Sequence, residues 1–159
     1  MTKEPDAPQL PLMKTELTER QIDIYRPGWV PETGHATCKA GVYWDAIRIP
    51  GERGREVADG MENALDGASP GPVIWSNTGR YVLWFLVARG TAQLHRWPPG
   101  VTVYTHDSSE HISIPGAGGR THPVQWLARP TREREFIDVN QLHKLVCQLT
   151  GWPSSEGAQ

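Results

Sequence analysis

Nine residues, Arg80–Ala88 with the sequence RYVLWFLVA, restrict the fold more than any other part of the chain. In an extended strand alternate side chains point to opposite faces. That puts Tyr81, Leu83, Phe85 and Val87 on one face, and Val82, Trp84 and Leu86 on the other. A strand apolar on both faces must be covered on both, so the sheet holding it needs a layer on each side. Just before it, PVIWS (72–76) is followed by SNTG, and Asn77 and Gly79 predict a hairpin turn between the two strands.

Further strands are predicted at 41–49, 101–105, 111–115 and 123–128 from aromatic and β-branched content. The first of these places Tyr43, Asp45, Ile47 and Ile49 on one face. Val57, Met61 and Leu65 recur every four residues and predict a helix over 52–66, with Gly67 as its stop. Gly60 weakens that helix by about 1 kcal/mol relative to Ala. A last helix is predicted over 138–150: Asp138 is its N-cap, Gln141 follows at capping-box spacing, and Leu142, Leu145, Val146 and Leu149 form the apolar stripe up to Gly151. The layout is α+β: a mixed, largely antiparallel sheet flanked by helices. Pro5, Pro8 and Pro11 mark residues 1–20 as an arm, 21–152 as the single domain and 153–159 as a tail. GAGGR (116–120) runs into a predicted strand rather than a helix and reads as a hairpin loop, not a phosphate cradle.

Composition narrows the function classes. The chain has 159 residues, 38% of them hydrophobic, enough for a core without staples. Its formal net charge of -2 counts against a partner gripped mainly through phosphates. The N-terminal residues lack an apolar leader segment, and no apolar run approaches the ~18 residues of a membrane span. The two cysteines, Cys38 and Cys147, therefore read as free thiols in a reducing cytoplasm. Of the seven tryptophans, Trp44, Trp75, Trp84 and Trp126 fall on predicted strands and belong to the core, while Trp29, Trp97 and Trp152 fall in turn-like or end segments and are expected at the surface.

Asp45 is the carboxylate to weigh. A lone acid on an apolar strand is a metal ligand or general base in some proteins, and in more of them bonds a nearby backbone group or Arg; metal chemistry calls for further carboxylates. His35 with Cys38 and His143 with Cys147 have the residue types of a tetrahedral zinc site. The plainer reading is two buried thiols and two surface histidines. His95, His106, His111 and His122 read as loop and strand-end residues, and no G-x-S-x-G elbow supplies a nucleophile. No cofactor is expected.

The order of these segments carries a resemblance. WDAIRI, then SNTGRYVLWFLVARGTA, PPGVTVYTHDSSEHISIPGAGG and PVQWL, resembles the N-terminal primase-polymerase domain of bifunctional DNA primase/polymerases over roughly residues 38–150, and in particular the short stand-alone actinobacterial versions. That family has a GGRHLYF-type strand, a PGVDVRG strand and a YxW strand in this order. The resemblance implies a primase-polymerase-like fold and argues against the activity. The family's Asp-x-Asp pair becomes Asp45 and Ile47, its His falls at or beside Tyr81, and its later Asp falls at Thr102. It implies a catalytically inactive regulatory or accessory binding protein linked to DNA or a mobile element, whose partner is a protein or a nucleic acid. The binding face is expected where Asp45, Tyr81 and Thr102 point, beside loops carrying Arg80, Arg120 and His122. One alternative is a protein-interaction module with no nucleic-acid role. The other is a residual metal-dependent primase, polymerase or nucleotidyltransferase, in which His106, Asp107 or Glu110 replace the lost ligands of Asp45.

Overall fold

The computed structural model describes residues 25–78, 80–117 and 124–152, with the backbone alone at Thr78 and Arg80. The expected arm 1–20 and tail 153–159 lie outside the described residues. The chain runs β1 (His35–Lys39), β2 (Trp44–Pro50), α1 (Gly51–Ala64), β3 (Val73–Thr78), β4 (Arg80–Ala88), a 3-10 turn (Ala92–Leu94), β5 (Thr102–Tyr104), β6 (His111–Pro115), β7 (Val124–Ala128) and α2 (Val139–Thr150). It is an α+β fold with two sheets, one of five strands in the order β5-β2-β4-β3-β7 and one of two strands, β1-β6. Every ladder between these strands is antiparallel.

The doubly apolar β4 sits at the centre of the larger sheet, as its pattern demands. Its Leu83, Phe85 and Val87 join Ile47, Ile49, Val57, Met61, Leu142 and Val146 in a core under both helices. Its Leu86 joins Trp44, Ala46, Ile74, Ile112, Ile114 and Val124 in a second core under the β1–β6 ribbon. Both helices therefore lie on one face, and the other face is covered by the ribbon and the Trp29–Val30 segment. Full burial of a Leu, Ile or Phe stabilises by about 1.5–3 kcal/mol each, so both layers contribute.

Three local features differ from the sequence pattern for physical reasons. Trp29, expected at the surface, is 6% exposed. It packs edge-on to Trp44 and Trp126, stacks on Phe136, and donates its indole N–H to Glu135 at 2.9 Å. Trp97 is half-buried on the core below the helices, and Trp152 is half-buried as well. Strands β6 and β7 belong to different sheets and do not pair with each other, and residues 118–120 of the Gly-rich stretch expected to form a hairpin loop lie outside the described residues.

The helices end by the expected chemistry, with one change. Asp138 accepts hydrogen bonds from the Asn140 and Gln141 amides at 2.9 and 3.2 Å, and Gly151 closes α2 in the left-handed region. At the end of α1 Asp66, φ 56, enters the left-handed region one residue before the expected Gly67, φ 88, whose N–H donates to the Glu62 carbonyl. Gly60 has a packing reason: a Cβ there would stand 2.7 Å from Leu145 Cδ2, so the missing side chain lets α1 and α2 approach.

Candidate functional site

Asp45 lies at the start of β2, opposite Val87 of β4, on the helix-covered face. It is 1% exposed. Its Oδ2 accepts hydrogen bonds from the Gly90 and Ala92 backbone N–H groups at 2.9 and 3.2 Å. The carboxylate thus pins the turn that leaves β4. Burial raises its pKa above the usual carboxylate value; the two amides and, more weakly, His106 and Arg89 oppose that shift. Ile47, the next residue on that face of β2, is wholly buried among apolar side chains.

These residues do not fit a pair of catalytic metals. One carboxylate is buried and occupied by backbone donors, the second is an isoleucine, and among the described residues no group of three or more His, Cys, Asp and Glu side chains is placed to hold a cation. His106 and Asp107 pair with each other at 3.1 Å on the exposed turn after β5.

The residues expected to share one binding face do not share it. Thr102 pairs with Arg48, so it faces the side opposite Asp45 and Ile47. Tyr81 does share the face of Asp45, but β4 separates Tyr81 from Val87 by six residues, about 20 Å along a strand. The face between them is filled by α1 and α2. The Arg80 side chain, Arg120 and His122 lie outside the described residues.

The zinc candidates are likewise divided. Cys38, on β1, packs against the core beneath the ribbon, and His35 is exposed. His143 and Cys147 lie on α2, on the far side of the sheet, too distant for bonds of about 2.0–2.3 Å to one ion. His143 is not a surface residue: it is 2% exposed, its Nε2 is 2.7 Å from the Arg96 carbonyl oxygen, and its ring stacks on His95 at 4.1 Å. Burial pushes the Cys38 thiol pKa up, which makes it a poorer nucleophile.

Tyr81 instead belongs to a groove at the other end of the sheet. Trp75, Asn77, Tyr81, Gln125 and Leu127 line a cavity of about 460 Å³ beside α1, with Arg55 over it. Trp75 and Tyr81 meet edge to face at 5.8 Å. Arg55 hydrogen-bonds the Tyr81 side chain, which raises its already high pKa, and pairs with Asp59 at 3.5 Å. A second cavity of about 390 Å³ shares Arg55 and Leu127 with the first and continues past Asp59 and Glu62 of α1 to Ser69 and Ala128. The Trp75 indole nitrogen is buried without an acceptor among the described residues. Of this groove the sequence marked Tyr81 alone. The rest comes from α1, β3, the 67–70 turn and β7, and no short-range spacing joins them.

Aromatic walls, side-chain amides and one guanidinium suit recognition of a planar or extended polar ligand. They offer no nucleophile paired with a base. Comparison of the chain with family models, with curated proteins and with solved structures gives no match.

Proposed function

We propose that this chain is a catalytically inactive, primase-polymerase-like regulatory or accessory protein that works by binding a partner in the Arg55–Tyr81–Leu127 groove. The observation that carries the reading is Asp45, whose carboxylate is buried and bonded to the Gly90 and Ala92 amides while Ile47 fills the neighbouring position on the same face. That chemistry holds a turn and leaves nothing to share a metal with. The groove supports the binding half of the reading, because it offers concave surface with convergent polar groups away from the Asp45 end.

Nucleotide incorporation on primed and unprimed templates, with magnesium or manganese, tests the inactive half. The expected result is no incorporation above a protein-free control. Incorporation by the wild type that is lost in Asp45→Asn would overturn it and restore the residual-enzyme reading.

A further inference from the structure

We infer that the Arg55–Tyr81–Leu127 groove takes a small aromatic amine, with its ring beside Trp75 and Tyr81 and its ammonium group toward Asp59 and Glu62; this rests on the reading of that groove as the binding site. The two cavities, of about 460 and 390 Å³, each have the volume of a small-molecule site, roughly 300–1,000 Å³. Arg55 and Leu127 line both, so one ligand can reach from the first into the second.

The two ends differ in chemistry. Trp75, Tyr81 and Trp126 line the larger cavity, together with the side-chain amides of Asn77 and Gln125. Aromatic walls favour a flat aromatic guest, held by offset or edge-on contacts, and a planar guanidinium such as that of Arg55 stacks on the same ring. The two amides bring donors and acceptors for a polar substituent on it. The smaller cavity has no aromatic wall and carries Asp59, Glu62 and Ser69 instead.

Charge then selects the class of tail. Arg55, Asp59 and Glu62 stand at i, i+4 and i+7 on α1, a stripe about 10 Å long. Arg55 pairs with Asp59 at 3.5 Å. One guanidinium against two carboxylates leaves the lining negative, with the excess at the Glu62 end. A carboxylate or phosphate placed there is repelled, whereas an ammonium group gains charge-assisted hydrogen bonds.

Three probes with the same phenol ring and different tails test this: tyramine with an ammonium, tyrosol with a hydroxyl, and para-hydroxyphenylacetate with a carboxylate. Each is titrated into the isotopically labelled 159-residue chain and followed by backbone amide shifts. Tyramine is expected to shift the Trp75, Gln125, Leu127 and Glu62 signals and to bind about fivefold tighter than tyrosol, with para-hydroxyphenylacetate weakest. Glu62→Gln, at an exposed position, is expected to bring tyramine down to the level of tyrosol with the melting curve unchanged. Groove shifts with equal affinity for tyramine and tyrosol, with preference for the carboxylate, or with an amine preference that survives Glu62→Gln overturn the ligand class and leave the groove as the binding site. No groove shift with any of the three probes overturns both.

Discussion

Asp45 and Gly90 are joined by a hydrogen bond of 2.9 Å, from the glycine N–H to Oδ2, across the mouth of the β2–β4 ladder. The same oxygen accepts the Ala92 amide at 3.2 Å. Asp45 is thus a backbone fastener, and the substitutions that follow separate that role from a metal-binding one.

Asp45→Ala leaves two amides without their acceptor in a buried site, which costs about 2–4 kcal/mol. The melting temperature is expected to fall by roughly 5–15 °C. Because one oxygen accepts both bonds, Asp45→Asn keeps them and is expected to stay within about 1 kcal/mol of the wild type. Thermal melts of the three proteins check this; equal losses in both variants would show that the charge, not the acceptor, matters.

The same residue sets a pH dependence. Burial raises the folded pKa above the unfolded value of about 3.9, so between the two values the folded state binds more protons. Stability from this group is fully present below the unfolded value and is lost as pH rises through the folded one. Urea midpoints of wild type and Asp45→Asn, followed from acid to neutral pH, should show the wild type's relative stability declining with pH. A relative gain with pH would mean that the carboxylate is stabilised in its charged form.

Gly41 and Gly90 both have positive φ, +88 and +82, yet they differ in surroundings. A Cβ on Gly41 would stand 2.1 Å from the His106 backbone nitrogen, whereas one on Gly90 meets nothing within 4 Å. Gly90→Ala should cost only the left-handed backbone penalty, about 1–2 kcal/mol. Gly41→Ala adds overpacking against main chain and should cost about 3 kcal/mol or more. Chemical denaturation ranks the two variants; equal costs would contradict the close approach.

Asp138→Ala removes the acceptor for the Asn140 and Gln141 amides at the start of α2. A loss of about 1 kcal/mol is expected, or roughly 2–4 °C in melting temperature. An unchanged melt would mean that water satisfies the first turn equally well.

The parts of this fold legible in the sequence are those where one segment determines its own surroundings. RYVLWFLVA demands cover on both faces and has it. The Asp138 cap, the Leu142 and Val146 stripe and the Gly151 stop together define α2, and Val57 with Met61 defines the buried side of α1. Contacts made across distance were not legible. HATCK (35–39) carries no clear strand pattern, and it pairs with β6 because the second core needs a lid. Trp29 follows Pro27 and Gly28 in a turn-like stretch, so its burial depends on Trp44, Trp126 and Phe136, which arrive from three other segments. The placement of Thr102 with Asp45 failed because β5 pairs in a register that turns Thr102 to the opposite face. Of the groove, Tyr81 alone was marked, since its other walls meet only when β7 docks on β3.

The most direct measurement of whether Asp45 is a fastener or a metal ligand is manganese titration of the isotopically labelled protein, read as paramagnetic broadening of backbone amide signals. The Asp45, Gly90 and Ala92 signals are expected to persist, with identical manganese responses in wild type and Asp45→Asn. Selective broadening of those three signals in the wild type, absent in Asp45→Asn, would contradict it.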